Sequence, residues 1–196
     1  MRFVLTFPFI LGLFACATTT PTPSGLILMP EREYHNVVES FTGRSQKYAG
    51  LYNTMDVTAT LVNSKVALAQ IDQKARLLQW DSTQYSKALE KQKNELAEQT
   101  IIYMSFYTPD KKNDDLQKPT TQWRMYLEAE GRRWEPRVVR IRQPIAEIQG
   151  LYSYHTRFST AYQLTFPIAA TTIDQTRSRF IVTGPLGIST IEYPTN

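Results

Sequence analysis

Residues 101–107 read Ile-Ile-Tyr-Met-Ser-Phe-Tyr, a run dominated by apolar and aromatic residues. β-branched and aromatic residues favour strands, and a run of this length is typical of a strand that is buried on both faces. Pro109 and Asp110 follow the run and predict a turn. The run therefore predicts a central strand, around which the rest of a sheet must be built.

Shorter strands are predicted on both sides of this run. Upstream, apolar residues alternate with polar ones over 55–61, the pattern of a strand with one buried face. Downstream, apolar segments bounded by turn residues predict strands at 123–127, 138–142, 162–166, 180–182 and 188–193. Glu130-Gly131 predicts a hairpin turn into 138–142. Seven strands result, and the hairpins between them imply antiparallel pairing.

Two helices are predicted between the first strand and the central one. Asn63 or Ser64 caps the first, and Asp81-Ser82 begins the second. Further short helices are predicted at 30–41 and 144–151. The pattern favours a mainly β fold with α-helices: an antiparallel, immunoglobulin-like β-sandwich that carries an inserted helical hairpin. The alternative is an α+β fold with the helices on one face of an antiparallel sheet.

The composition excludes several classes of protein. Of 196 residues, 42% are hydrophobic, and the 8 Gly and 11 Pro are close to average usage, so the chain is neither disordered nor collagenous. The single cysteine excludes an internal disulfide framework. Residues 25–196 suit one globular domain, and residues 16–24, rich in Thr and Pro, predict an extended tether before it.

The amino terminus has the pattern of a signal peptide over residues 1–15. Arg2 precedes a mostly apolar run over 3–15. As a helix this run would be about 20 Å long, short of the roughly 30 Å hydrocarbon core of a bilayer. It is therefore typical of a secretory signal rather than of a membrane span.

The run ends in Leu13-Phe14-Ala15-Cys16, which resembles the lipobox of bacterial lipoproteins. The resemblance implies that Cys16 is diacylated, exposed by cleavage and usually N-acylated, so that acyl chains anchor the protein to a membrane. Ala17, in place of Asp, implies sorting to the outer membrane, with the domain facing the periplasm. The predicted location is thus the bacterial cell envelope.

Arginines cluster in the carboxyl-terminal third of the chain. Every basic residue after Lys118 is an arginine, and five fall within eleven positions: Arg132, Arg133, Arg137, Arg140 and Arg142. The planar guanidinium favours bidentate contacts with phosphates and carboxylates. In an exported protein the cluster is a candidate binding site for an anionic lipid or an acidic envelope partner, and no nucleic acid is expected. Alternatively, these arginines pair with Glu128, Glu130 and Glu135 and protect a sheet edge.

Few residues suit catalysis or metal binding. His35 and Glu31 share a helix face, but two ligands do not make a zinc site. His155 follows Ser153 in a tyrosine-rich loop without a nucleophile elbow or an evident acid partner. The acidic group Asp110, Asp114 and Asp115 lacks the glycine and glutamate of a calcium loop and is expected to cap turns. No catalytic residue, metal site or cofactor is predicted.

Two functions therefore remain open, together with a weaker third. The first is a non-catalytic binding or assembly module of the cell envelope. The second is an envelope hydrolase acting on cell-wall or lipid material, supported by His155 with its adjacent Tyr and Ser, or by carboxylate pairs that the sequence does not place in space. The third is a lipid-carrying chaperone with a large apolar cavity. The sequence identifies neither the partner nor the oligomeric state.

Overall fold

Nine strands form two antiparallel sheets in residues 23–196, the part of the chain that the computed structural model describes. The five-stranded sheet has the order β1-β2-β3-β7-β6, and the four-stranded sheet has the order β5-β4-β8-β9. The bounds are β1 Thr42–Ala49, β2 Tyr52–Val62, β3 Thr100–Tyr107, β4 Arg124–Ala129, β5 Arg132–Trp134, β6 Arg137–Arg140, β7 Thr160–Phe166, β8 Ser178–Gly184 and β9 Gly187–Tyr193. The 101–107 run forms the middle strand of the larger sheet, as predicted.

Five α-helices accompany the sheets in these residues. They are α1 Glu31–Ser40, α2 Ser64–Leu78, α3 Ser82–Glu98, α4 Ile145–Leu151 and α5 Ala170–Gln175. The Asn63 side chain caps α2 by accepting from the Val66 N–H at 2.9 Å. Asp81 and Gln84 form a capping box at the start of α3. The predicted helical hairpin between β2 and β3 is therefore present, and each of its helices begins at a predicted cap.

The two sheets pack face to face through aromatic side chains. Phe106 of β3 meets the edge of Trp123, just before β4, with ring centroids 5.2 Å apart. Phe166 of β7 and Phe180 of β8 make a second edge contact at 6.4 Å. These rings belong to one buried apolar cluster with members in both sheets. The predicted fold class, mainly β and antiparallel with an inserted helical hairpin, is confirmed.

Part of the outer face of the five-stranded sheet is covered by helices and by the loop after α4. The Tyr152 ring stacks on Tyr103 of β3, with centroids 3.6 Å apart and planes 6° from parallel. The Gln70 side chain of α2 donates to the Tyr152 hydroxyl at 2.8 Å. Strand β3 is thus buried on both faces, as the run 101–107 predicts.

Two strands were not predicted, for different reasons. β1 reads TGRSQKYA and is an exposed edge strand, so it has no clear apolar alternation. β5 is only three residues long, and the prediction that the Glu130-Gly131 turn leads into 138–142 is wrong. The turn leads into β5, after which Pro136 interrupts the chain and β6 pairs with β7 in the other sheet.

Candidate functional site

The candidate arginines lie where both sheets end. β5 is an edge of the four-stranded sheet, β6 is an edge of the five-stranded sheet, and the short link 135–136 joins them. The other two edge strands, β1 and β9, pack against each other. Gly43 of β1 lies so close to Ile191 of β9 that a side-chain carbon at position 43 would overlap the Ile191 side chain. One side of the sandwich is thus closed by packing. The other, which we call the arginine edge, carries Arg132, Arg133, Arg137, Arg140 and Arg142, all exposed.

Arg133 is engaged in an ion-pair network on the four-stranded sheet. Its Nε donates to Glu128 at 2.6 Å, and Arg179 of β8 binds the other oxygen of the same carboxylate. The hydrogen bonds from Arg179 and Arg133 lower the pKa of Glu128 below its ordinary value. The guanidinium of Arg133 also lies 5.5 Å from the Tyr126 ring centroid. Arg133 therefore pairs with Glu128, as the alternative interpretation of the arginine cluster predicts.

Arg140 faces the buried carboxylate of Asp114. Its Nη2 lies 3.8 Å from Asp114 Oδ2 and 3.4 Å from the Thr160 hydroxyl. Asp114 also accepts hydrogen bonds from the hydroxyls of Thr160 at 2.6 Å and Tyr162 at 2.9 Å. Two strands of the sheet therefore hold this carboxylate, which fixes the 110–119 loop against β7 and restrains Arg140.

The other two aspartates of the loop have local roles. Asp110 accepts from the Lys112 N–H at 3.0 Å at the start of a short 3-10 helix. Asp115 accepts from the Thr121 hydroxyl at 3.0 Å. Asp110 and Asp115 therefore stabilise turns, as predicted. Asp114 instead is buried and binds side chains of β7, which the spacing of the three aspartates could not show.

Arg132, Arg137 and Arg142 make no ion pair with any residue in 23–196. Glu130 and Glu135, the other two expected partners, are not within ion-pair distance of these arginines. Arg137 begins β6, Arg142 follows its end, and Arg132 begins β5. Three guanidinium groups are therefore available to an anion along one side of the sandwich.

The structure pairs His155 with a serine that the sequence did not single out. Ser105 Oγ on β3 lies 2.9 Å from His155 Nδ1, and both residues are buried. Burial lowers the pKa of His155 below its ordinary value, which favours the neutral imidazole. Ser153, two residues before His155, is exposed instead. The only sequence signal for this pair was Ser105 itself, the one small polar residue in the 101–107 run.

His35 packs edge-on against the neighbouring Tyr34 ring at 5.4 Å. No group of three or more His, Cys, Asp or Glu residues in 23–196 is arranged to hold a metal ion. Cys16 and the signal-like segment lie outside the described residues. No helix within 23–196 is both long and apolar enough to cross a bilayer.

The arginine edge is thus a surface site, and the Ser105-His155 pair is a buried one. Comparison with known proteins adds no family to this geometry: no family model matches the chain, and no curated protein or solved structure is significantly similar to it.

Proposed function

We propose that this chain is a lipid-anchored, non-catalytic binding module of the bacterial cell envelope, which engages an anionic partner through the arginine edge. The observation that carries the proposal is the set of unpaired arginines, Arg132, Arg137 and Arg142, on the open side of the sandwich. A guanidinium without a carboxylate partner keeps all its donors for an external phosphate or carboxylate.

The anchor in this proposal is Cys16, at the end of the segment that resembles a lipobox. Two or three acyl chains hold a protein to a bilayer far more firmly than one. The tether over 16–24 would let the domain meet headgroups or an acidic envelope protein. We place the protein at the outer membrane, facing the periplasm.

Binding of the Cys16→Ser chain to vesicles tests the arginine edge without the acyl anchor. We expect more sedimentation with phosphatidylglycerol vesicles than with phosphatidylcholine vesicles, and this difference should shrink as salt screens the charges. Taking the difference between vesicle types removes the contribution of the apolar run at 3–15. Replacing Arg132, Arg137 and Arg142 together with Gln should abolish the difference.

The matched control removes the same charge elsewhere, by replacing Lys87, Lys91 and Lys93 of α3 with Gln. If the arginine edge is the site, this variant keeps its preference for anionic vesicles. Equal loss in both variants would show that net charge alone drives binding. Equal sedimentation with both vesicle types would contradict an anionic lipid as the partner.

The second candidate function, an envelope hydrolase, is favoured by one observation, the Ser105-His155 hydrogen bond. A neutral imidazole beside a serine hydroxyl is the pairing that activates a serine nucleophile. Within 23–196, however, His155 has no carboxylate hydrogen-bond partner to orient it, and Ser105 is only 4% exposed. Labelling of Ser105 by a fluorophosphonate, lost in Ser105→Ala, would establish the hydrolase; no labelling is expected for a binding module.

A further inference from the structure

A groove opens on the outer face of the five-stranded sheet, away from the arginine edge. Its volume is about 490 Å³, within the range of small-molecule sites. Strands β1, β2 and β3 form the floor, and the loop over 154–159 forms a wall. The groove therefore joins a rigid floor to a loop wall, an arrangement common in binding sites.

The register of the strands places polar side chains in two rows on this floor. Arg44, Thr58 and Ser105 are paired across the three strands and form one row. Gln46, Asp56 and Tyr107 form the next row, two residues further along each strand. Side chains two positions apart share a face. The floor is thus a continuous polar surface of hydroxyl, amide, guanidinium and carboxylate groups.

The two charges on the floor compensate each other. Arg44 Nε donates to Asp56 Oδ1 at 3.0 Å, and a second guanidinium nitrogen binds the other carboxylate oxygen. Gln46 Nε2 also donates to Asp56, at 2.9 Å. Arg44 and Asp56 are the only charged residues within 23–196 that line the groove. Unlike the arginine edge, the groove offers fixed donors and acceptors without net charge, which favours a neutral polar ligand.

Aromatic rings stand beside these polar rows. Phe158 on the wall is 61% exposed although it borders the groove, and Tyr107 lies on the floor. Tyr154 is held in place by a hydrogen bond between its hydroxyl and that of Thr60, at 2.6 Å. Tyr48 lies two residues after Gln46 on the same outward-facing side of β1 and is also exposed. The ligand is therefore expected to have an apolar surface as well as polar groups.

One acceptor on the groove floor has no hydrogen-bond partner among the described residues. The side-chain oxygen of Asn53 is buried and makes no hydrogen bond within the described part of the chain. A buried polar atom without a partner costs free energy, so this amide is a position where the border of the groove is not fully satisfied by the protein itself. Hydroxyl groups are suited to such a mixed floor because each can donate and accept.

We propose that this groove binds a neutral carbohydrate chain. Sugar hydroxyls can pair with the mixed donors and acceptors of the floor, and the C–H face of a pyranose ring packs on exposed aromatic rings such as Phe158. Asp56 is the one carboxylate among the lining residues. Because glycoside hydrolysis ordinarily needs two carboxylates across the scissile bond, the groove binds the chain without cleaving it. This site is independent of the arginine edge.

Calorimetric titration of the full chain, in a detergent without a sugar headgroup, tests the proposal with chitotriose, cellotriose and maltotriose. At least one of these should bind with a dissociation constant in the micromolar to millimolar range. Phe158→Ala and, separately, Asp56→Ala should each weaken binding about tenfold or more, the loss expected for removing one stacking or charge-assisted contact. Absence of binding for all three oligosaccharides overturns the proposal.

Matched controls separate the groove from the rest of the surface. Ile188 on β9 is exposed to nearly the same extent as Phe158, at 58%, so Ile188→Ala should leave affinity unchanged. Glu192→Gln likewise changes a carboxylate on β9, away from the groove. Retained affinity in both Phe158→Ala and Asp56→Ala, or equal losses in the controls, would place the carbohydrate elsewhere and contradict the proposal.

Discussion

The two faces of the five-stranded sheet differ in chemistry: the inner face is apolar, whereas the outer face is mixed in polarity and partly open. On the inner face, Met104 and Phe106 of β3 meet the second sheet in an apolar core. On the outer face of the same strand, Tyr103 stacks on Tyr152 in a small cluster that includes Ile148, and Ser105 is bonded to His155. The tyrosines there include Tyr152, which is bonded to α2. One strand of eight residues thus separates two environments.

This difference in chemistry indicates that the two faces differ in how much they contribute to the stability of the fold. Apolar burial stabilises roughly in proportion to area and needs no precise partners. Polar burial is close to neutral when every group is paired and costly when one is not. We therefore assign most of the stability to the inner face and recognition to the uncovered part of the outer face.

The largest expected effect is on the inner face. Phe106 is 1% exposed and packs on Trp123, so Phe106→Ala should lower the free energy of unfolding by about 3–5 kcal/mol. Denaturant unfolding measures this loss. The exposed Ile188→Ala should change it by less than about 0.5 kcal/mol. A loss below about 1 kcal/mol for Phe106→Ala would contradict the assignment of the core.

A smaller loss is expected when the outer-face pairing is broken. Ser105→Ala leaves His155 Nδ1 buried without its partner, which should cost about 1–3 kcal/mol. Ser153→Ala removes a hydroxyl from an exposed neighbouring position and should be close to neutral. Equal effects of the two substitutions on the unfolding midpoint would show that the Ser105-His155 bond contributes nothing.

The outer face should also make stability depend on pH. Burial lowers the pKa of His155 in the folded state below its ordinary value of 6.5, so the unfolded chain binds the proton more readily. Stability should therefore fall as pH drops below about 6.5, by at most about 1.4 kcal/mol per pH unit from this group. His155→Gln should flatten this part of the curve; an unchanged slope would assign the dependence to other groups.

The smallest expected effect is a difference in stability between variants of the two stacked tyrosines, Tyr103 and Tyr152. The Tyr103 hydroxyl is buried without a partner among the described residues, so Tyr103→Phe should be neutral or slightly stabilising. The Tyr152 hydroxyl accepts from Gln70, so Tyr152→Phe should cost about 1 kcal/mol. Thermal unfolding of the two variants measures the difference. Equal destabilisation by both would indicate that the Tyr103 hydroxyl has a partner, such as a water molecule.

Periodicity predicted the elements whose burial is regular, and it failed where contacts are distant along the chain. The apolar run at 101–107 and the caps Asn63 and Asp81 were sufficient to place β3 and the helical hairpin. β1 was missed because it is a polar edge strand. No local pattern could show that Asp114 meets Tyr162, 48 residues away, or that Ser105 meets His155.

The candidate site was predicted only in part, for the same reason. The arginine cluster is visible in the sequence, but which arginines are paired depends on strand order. The groove combines residues from three strands and a loop that is about 50 residues from β3. Asp56, Thr58 and Ser105 look like ordinary outward positions in the sequence because they alternate with core residues, and Arg44 and Gln46 belong to a polar edge strand.

The inner face of the five-stranded sheet stabilises the fold, and the outer face is proposed to recognise a ligand. The most direct test measures both unfolding free energy and oligosaccharide affinity for Val57→Ala, on the inner face of β2, and Phe158→Ala, on the groove wall. We predict that Val57→Ala lowers stability by about 1–3 kcal/mol with unchanged affinity, and that Phe158→Ala lowers affinity with stability changed by less than about 1 kcal/mol. Loss of affinity in Val57→Ala equal to that in Phe158→Ala would contradict the claim.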